Sequence, residues 1–270
     1  MRRIEMFKQA MNEKRALKVI AGINNYDVDN VKNVVMAAEK AGASMVDICA
    51  NKEIYNMARE LTNLPIIVSS VKPSELVDAV AWGSDAIELG NFEALNMSLS
   101  RIEVISLVKE TLSMLGDKKV FFSVTVPANL EVSEQISLAV ELEKMGVDLI
   151  QTEGSKSVHT EGSLGLIQAA EMTLANTIEI SRNVSIPVMT ASGLTTSTVG
   201  MAFAAGASAI GVGSCVNKLN SEILIKVDSI DASSANVVVS IPGATGNAFV
   251  IVDVFESVVP LVNGSASVHF

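Results

Sequence analysis

The chain has 270 residues, 49% of them hydrophobic and 19% charged, so it can bury a sizeable core, which argues against wholesale disorder. Thirty acidic residues against twenty Lys and Arg give a formal net charge of −10, which argues against nucleic acid or an anionic membrane surface as a partner. With only two cysteines, Cys49 and Cys215, and no apolar run of about 18 residues, we expect a reducing compartment and no membrane span.

The N-terminal segment, residues 1–17, is typical of a short amphipathic helix. Ile4, Phe7 and Met11 recur at helical spacing, with charged side chains between them. The segment does not have the apolar core of a secretory signal. We therefore expect this helix to cover one end of the domain.

An internal pattern then recurs four times along the chain. A helical stretch rich in Ala or Leu ends at a glycine, and a short apolar run follows within a few residues. The four glycines are Gly42, Gly83, Gly146 and Gly206. Each stands where the end of a helix needs a left-handed residue, and each following run suits a buried parallel strand.

Apolar runs of a second kind lie between these copies and complete a set of eight strands. The strands are expected to start near residues 18, 45, 65, 86, 119, 148, 186 and 209. Helical patterns fill the gaps at 28–41, 52–61, 73–82, 98–115, 131–145, 163–181 and 195–205. This alternation predicts a (β/α)8 TIM barrel. A doubly wound open sheet is the runner-up, but it would be expected to have a Gly-rich dinucleotide turn after its first strand, and the sequence has none there.

Counting from the four repeat glycines orients the side chains of the even-numbered strands. Residues five positions beyond each glycine should form one inward layer, and residues seven positions beyond should form the next layer toward the C-terminal mouth. The first layer is Asp47, Glu88, Gln151 and Gly211, and the second is Cys49, Gly90, Glu153 and Gly213.

Three of these inward side chains are carboxylates, which is unusual in a barrel interior. We expect Glu153, Glu88 and Asp47 at the mouth, where burial would raise one pKa toward neutrality for general acid/base catalysis. The alternative is a structural network in which Lys18 pairs with a carboxylate inside the barrel, an interpretation slightly favoured for Asp47. A divalent metal on the three carboxylates is less favoured still, and no metal is predicted.

The ends of the seventh and eighth strands predict a phosphate site. Ser192 and Gly193 end the seventh strand, and Gly213 and Ser214 end the eighth. These loops hold a phosphate in many barrels, because glycines let backbone N–H groups approach the oxygens and hydroxyls add further donors. The alternative is two ordinary glycine turns that close the barrel.

Polar residues near the strand ends complete a predicted substrate pocket. Asn24 and Asn51 follow the first two strands, although Asn is also a common turn residue. Four strand residues are expected to face inward as well: Ser70, Thr125, Gln151 and Thr190.

Six segments resemble the hypothetical chloroplast reading-frame family number twenty-three, which is shared by algal plastids and cyanobacteria. They are KVIAGINN (18–25), VDICAN (46–51), ELGNF (88–92), LIQTEG (149–154), TASGL (190–194) and VGSCVNKLNSEI (212–223). The similarity covers about residues 5–227. It implies an aldolase-type barrel without an established activity, located in the plastid (chloroplast) stroma or the cyanobacterial cytoplasm, and it supplies no catalytic residues.

The resemblance ends after Val227. Relatives continue into an eighth helix rich in Ala and Leu, whereas Val-rich runs at 237–241 and 249–254 favour extended structure here. Residues 1–227 are therefore predicted to form the barrel and residues 228–270 a divergent tail. The tail either replaces the eighth helix or results from an altered reading frame.

The leading hypothesis from the sequence is an isomerase or lyase that acts on a small phosphorylated metabolite by acid/base chemistry. Two alternatives remain open. The phosphate site could hold FMN, which would make the protein an oxidoreductase, or the protein could bind a phosphorylated effector without catalysis. A homo-oligomer is compatible with the sequence.

Overall fold

Eight parallel strands close into a barrel in the order in which they occur along the chain. The computed structural model describes residues 3–154, 162–195, 197–217, 236–241 and 248–253. The strands are β1 (Ala16–Ile20), β2 (Met45–Cys49), β3 (Ile66–Ser70), β4 (Ala86–Leu89), β5 (Phe121–Val126), β6 (Leu149–Thr152), β7 (Val188–Ala191) and β8 (Ala209–Val212). Because β1 also pairs with β8, with Lys18 opposite Gly211, the sheet is closed and the open-sheet alternative is excluded.

Helices alternate with these strands and surround the barrel. They are α1 (Arg3–Asn12), α2 (Val28–Lys40), α3 (Lys52–Leu61), α4 (Pro73–Trp82), α5 (Arg101–Leu115), α6 (Val132–Lys144), α7 (Gly162–Ser181), α8 (Val199–Ala204) and α9 (Ser214–Asn217). The predicted left-handed glycines after α2, α4, α6 and α8 are confirmed, with φ angles of 63°, 98°, 85° and 106°. The (β/α)8 TIM barrel is therefore confirmed.

Helix α1 closes the N-terminal end of the barrel, as predicted. Phe7 is completely buried and meets the ring of Phe121 edge to face, with 6.0 Å between the ring centroids. Met45 and Met189, which lie on the inner face of the barrel, pack in the same cluster. Apolar side chains therefore fill this end of the described barrel.

The inward orientation predicted for the even-numbered strands is confirmed, but two residues on odd-numbered strands were assigned to the wrong face. The Ser70 hydroxyl donates to Glu75 at 2.6 Å, and the Thr190 hydroxyl lies 2.7 Å from that of Thr177 on α7. Both side chains therefore face the surrounding helices. Odd-numbered strands have no preceding repeat glycine to fix their phase, and β3 and β7 were placed one residue out of register. Thr125 on β5 faces inward as predicted, since its Oγ1 lies 3.1 Å from Gln151 Nε2.

The C-terminal part of the chain contains a second, separate pair of strands. β9 (Asn236–Ile241) and β10 (Ala248–Asp253) pair antiparallel, with Ile241 opposite Ala248. Extended structure in the Val-rich runs is thus confirmed, while the predicted boundary at Val227 lies outside the described residues. No helix in the described ranges has both the length and the apolar character needed to cross a membrane.

Candidate active site

A cavity of about 640 Å³ opens at the C-terminal ends of the strands, within the size range of small-molecule sites. Five strand-end turns contribute to its wall. The contributing residues include Asn24 after β1, Asn91 and Glu93 after β4, Glu153 after β6, Ser192 and Gly193 after β7, and Gly213 and Ser214 after β8.

Glu153 is the buried carboxylate of this cavity. Its side chain is only 6% exposed, and its Oε1 accepts a hydrogen bond from the backbone N–H of Glu93 at 2.8 Å. No Lys or Arg in the described part of the chain pairs with it. Burial raises the pKa of Glu153 to about 7, against the opposing effect of the Glu93 N–H. This carboxyl group can therefore both take up and release a proton near neutral pH.

The turn after β7 has a backbone shape that few residues accept. Ser192 and Gly193 are both left-handed, with φ angles of 78° and 68°. A Cβ atom on Gly193 would lie 1.9 Å from the carbonyl oxygen of Ala169, so any side chain there requires a backbone shift. Ser192 packs directly against the end of β6, since a Cβ atom on Gly154 would lie 3.2 Å from its Oγ. The seventh-strand turn and Glu153 are thus held side by side.

The turn after β8 reaches the same cavity. Gly213 is half-buried and Ser214, the first residue of α9, is exposed. The backbone N–H groups of Gly193, Leu194, Gly213 and Ser214 donate to no other residue that the structure describes. The four residues predicted to bind phosphate therefore line one cavity and leave unpaired donors around it.

Asp47 and Glu88 are not at the mouth, which corrects their predicted placement. Both are completely buried beneath the cavity, where Lys18 Nζ lies 2.7 Å from Glu88 Oε2 and 3.1 Å from Asp47 Oδ2. The alternative network around Lys18 is the arrangement found. Among the described residues, no group of three His, Cys, Asp or Glu side chains is placed to hold a metal ion.

Burial and charge pairing together set the pKa values of Lys18 and Asp47 in this lower cluster. Burial disfavours the charged form of Lys18, but attraction by Glu88 and Asp47 outweighs it and raises the pKa of the ammonium. Burial raises the pKa of Asp47 to about 6, because it outweighs the opposing effect of Lys18. The cluster lies beneath the cavity wall and does not present an acid or base to the cavity.

Three polar side chains connect Glu88 to the floor of the cavity. Gln151 Nε2 donates to Glu88 Oε1 at 2.9 Å and lies 3.1 Å from Thr125 Oγ1. Asn91, which is left-handed at φ 61°, turns its Nδ2 back to the same Glu88 oxygen at 2.9 Å. Gly90 makes this possible, because a Cβ atom there would lie 2.1 Å from Thr125 Oγ1.

The predicted substrate pocket is found only in part. Gln151 and Asn24 line the cavity. Asn51 instead begins α3, where its Oδ1 accepts from the backbone N–H groups of Glu53 and Ile54 at 2.9 and 3.0 Å. Thr190 lies on the outer face of β7, as described above. The expectations for Asn51 and Thr190 as pocket residues are thus corrected.

The sequence analysis missed two acidic residues of the cavity wall, Asp27 and Glu93. Both lie in turns that follow barrel strands, and this position is the signal that could have identified them. With Glu153 they give the described wall three carboxylates and neither Lys nor Arg. Within this described wall, the donors available to a bound anion are backbone N–H groups, hydroxyls and side-chain amides.

Solved structures with the same architecture include aldolases. The chain superposes on a putative fructose-1,6-biphosphate aldolase from Coccidioides immitis with a TM-score of 0.56 and 12% identity, covering 80% of this chain and 83% of that one. A geranylgeranylglyceryl phosphate synthase from Thermoplasma acidophilum, in complex with sn-glycerol-1-phosphate, gives a TM-score of 0.53 at 16% identity, covering 80% and 91%. At these identities the likeness shows the fold alone.

Sequence comparisons identify a family. The "Uncharacterized protein ycf23" of Cyanophora paradoxa is 42% identical over 216 residues, covering 78% of this chain and 88% of that protein. The protein of the same name from Pyropia yezoensis is 37% identical over 213 residues, covering 77% of each. A family model described as "Protein of unknown function (DUF561)" matches residues 2–240, and the chain belongs to this family.

Proposed function

We propose that this protein is an isomerase or lyase that acts on a small phosphorylated metabolite, with Glu153 as its acid and base. The observation that carries the proposal is that Glu153 and the turns after β7 and β8 line one cavity. A ligand anchored by its phosphate at the turns would place its carbon skeleton beside the carboxyl group. Such positioning is itself a large part of catalysis.

The phosphate would be held without a side-chain cation from the described wall. The N–H groups around Gly193 and Gly213 supply donors, and the hydroxyls of Ser192 and Ser214 add two more. Fixed backbone dipoles aimed at anionic oxygens stabilise them effectively. The synthase from Thermoplasma acidophilum, whose ligand is sn-glycerol-1-phosphate, shows that a barrel of this fold accommodates a small phosphate ester.

The proton transfer follows from the position of Glu153. Its carboxylate removes a proton from a carbon next to a carbonyl group, and the electron pair of the C–H bond moves onto the carbonyl oxygen. In an isomerase, the carbon that loses its proton carries a hydroxyl group, and the resulting carboxylic acid returns the proton to the former carbonyl carbon. The hydroxyl proton moves to the former carbonyl oxygen, so a new carbonyl group forms on the first carbon. In a lyase, the carboxylate instead takes the proton of a hydroxyl group, which becomes a carbonyl group while the adjacent C–C bond breaks. The electron pair of that bond moves onto the carbonyl oxygen of the other fragment, and the carboxylic acid then protonates the resulting enolate at carbon. A pKa of about 7 suits both directions. Glu88, buried below, acts as a positioning residue through Gln151 and Asn91, and Asp47 supports Glu88 through Lys18.

Native mass spectrometry of freshly purified protein tests the proposal first. We expect a small phosphorylated molecule to co-purify with the parent protein. The recovered molecule is then incubated with protein in D2O, and loss of its C–H signals is followed by NMR. Glu153→Gln should slow this exchange by about 10²–10⁴-fold. The exposed Glu134→Gln is the matched control and should leave exchange unchanged.

Other outcomes of these experiments would replace the proposal. A co-purifying molecule without phosphate would remove its basis. Visible flavin absorbance would identify the FMN-dependent oxidoreductase instead. A phosphorylated ligand that binds tightly but exchanges no C–H proton in the parent protein would indicate an effector-binding role.

We also propose the plastid stroma or the cyanobacterial cytoplasm as the location of this protein. The support is the similarity to proteins from the algae Cyanophora paradoxa and Pyropia yezoensis. Immunodetection in fractionated cells would test it, and recovery of the protein in a different compartment would contradict it.

A further inference from the structure

Gln151 is a polar side chain of the cavity floor, and its amide nitrogen and amide oxygen differ in their hydrogen bonding. It lies on β6, lines the cavity and is only 1% exposed. Its nitrogen has three acceptors within 3.1 Å: Glu88 Oε1, Asn91 Oδ1 and Thr125 Oγ1. Its oxygen, Oε1, is buried and has no hydrogen-bond partner among the residues that the structure describes.

The orientation of the Gln151 amide is fixed by its neighbours. An ionised carboxylate only accepts hydrogen bonds, so Glu88 requires the nitrogen to face it. Asn91 donates its own amide nitrogen to Glu88, which leaves its oxygen to face Gln151 as a second acceptor. Turning the Gln151 amide over would place its oxygen against both of these oxygens. Oε1 is therefore the atom of Gln151 that remains for a ligand.

We propose that Oε1 of Gln151 accepts a hydrogen bond from a hydroxyl group of the ligand, so that the cavity selects hydroxylated phosphate esters. This inference rests on the proposed function, which places a phosphate ester in the cavity. A buried acceptor without a partner costs free energy, and a ligand that supplies a donor recovers it. A site of this kind discriminates strongly against analogues that lack the donor.

The donor is a hydroxyl and not an ammonium group. Gln151 lies on the fully buried floor, where an ammonium would lose far more hydration than a neutral hydroxyl. Glu88, the nearest carboxylate, is already paired with Lys18 at 2.7 Å. A cation at Oε1 would therefore gain little from Glu88, because Lys18 already pairs with that carboxylate.

Titration calorimetry with matched esters tests this inference. The probes are inorganic phosphate, n-propyl phosphate, sn-glycerol-1-phosphate and phosphoethanolamine. The two three-carbon esters share the phosphate and the chain length and differ in their hydroxyls. We expect the parent protein to bind sn-glycerol-1-phosphate about tenfold or more tightly than n-propyl phosphate.

Gln151→Met keeps the length of the side chain and removes the acceptor. It should reduce the preference to within about threefold, mainly by weakening the binding of sn-glycerol-1-phosphate. Gln135→Met is the control, because Gln135 is also buried but lies on α6, with its nitrogen bonded to the Leu130 carbonyl at 2.8 Å. It should keep the full preference. If Gln151→Met does not fold, the two esters compared on the parent protein decide the inference.

The contrary outcomes separate this inference from the proposed function. Equal binding of the two three-carbon esters by the parent protein overturns the role of Gln151 and leaves the phosphate site standing. If Gln151→Met still prefers sn-glycerol-1-phosphate over n-propyl phosphate to the full extent, the role of Gln151 is overturned in the same way. If the parent protein binds phosphoethanolamine more tightly than sn-glycerol-1-phosphate, the assignment of the donor as a hydroxyl is overturned. Binding of none of the four probes overturns the proposed function itself.

Discussion

Buried carboxylates lie at two levels of this barrel, and they differ in what neutralises them. At the lower level, Asp47 and Glu88 flank the ammonium group of Lys18 at 3.1 and 2.7 Å. At the upper level, Glu153 accepts a backbone N–H and pairs with no Lys or Arg of the described chain. The same residue type on neighbouring layers is thus part of a buried ion pair in one place, Glu88 with Lys18, and lines the cavity without a cation from the described chain in the other, Glu153.

Burial acts at both levels, because it raises the pKa of Asp47 to about 6 and that of Glu153 to about 7, and the levels differ in that only the lower one holds a cation. Ser69 and Ser123 add hydrogen bonds to the lower carboxylates at 2.6 and 2.9 Å, so few of their oxygens remain for chemistry. A buried ion pair of this kind is costly to break, because the remaining charge loses its compensation. Glu153 has no such partner, and burial disfavours its charged form, so it takes up a proton near pH 7.

Lys18→Met would break the lower cluster and should have the largest effect. It leaves two buried carboxylates without a cation, and we expect a loss of about 3–5 kcal/mol in the free energy of unfolding. The loss should shrink in acid, where the carboxylates take up protons. Urea unfolding at neutral and acidic pH measures both. The exposed Lys118→Met is the control and should change stability by less than about 0.5 kcal/mol. Equal effects of the two substitutions would contradict a charged cluster.

Gly213→Asp would add a negative charge at the upper level, beside the proposed phosphate. Two like charges about 4 Å apart repel by about 4 kcal/mol at an intermediate effective dielectric. Binding of phosphate or of the recovered ligand should weaken by about three orders of magnitude, measured by calorimetry. Gly213→Asn has the same shape without the charge and separates the two causes. A folded Gly213→Asp that binds as tightly as the parent would show that the phosphate site is wrongly placed. Gly193 is unsuitable for this test, because any side chain there meets Ala169.

Glu153→Gln tests the upper level through the pH dependence of the free energy of unfolding. The pKa of Glu153 is about 7 in the folded state against an ordinary 4.5, so the unfolded chain releases this proton first. Stability should therefore fall as pH rises from about 4.5 to 7, by about 3 kcal/mol in total, and change no further above that. The substitution should remove this part of the decline in urea unfolding across the window. An unchanged decline would mean that another group, such as Asp47, causes it.

Ser214→Ala should have the smallest effect at the upper level. It removes one hydroxyl donor and leaves the backbone N–H in place, so phosphate binding should weaken by about 1 kcal/mol. Calorimetry alongside Gly213→Asp gives the comparison directly. A loss as large as that of Gly213→Asp would mean that the hydroxyl, and not the backbone, holds the anion.

The sequence by itself determined the barrel and the inward-facing side chains of its even-numbered strands. Helix and strand periods are local properties, and the repeat glycines such as Gly83 marked each helix end, so strand starts came out within two residues. The same glycines fixed the phase of the even-numbered strands. Glu153 and Gln151 were therefore correctly oriented toward the interior, and the turns at Gly193 and Gly213 were correctly brought to the mouth.

Only the tertiary structure decided the rest. The pairing of Lys18 with both Asp47 and Glu88 depends on how far each strand is staggered against the next, and residues distant in sequence meet only when the barrel closes. Thr190 faces α7 because strand pairing, which no local pattern records, fixed the phase of β7. The sequence could not predict that Gln151 Oε1 has no hydrogen-bond partner among the described residues either. This results from three neighbouring acceptors that all lie against the nitrogen of the same amide.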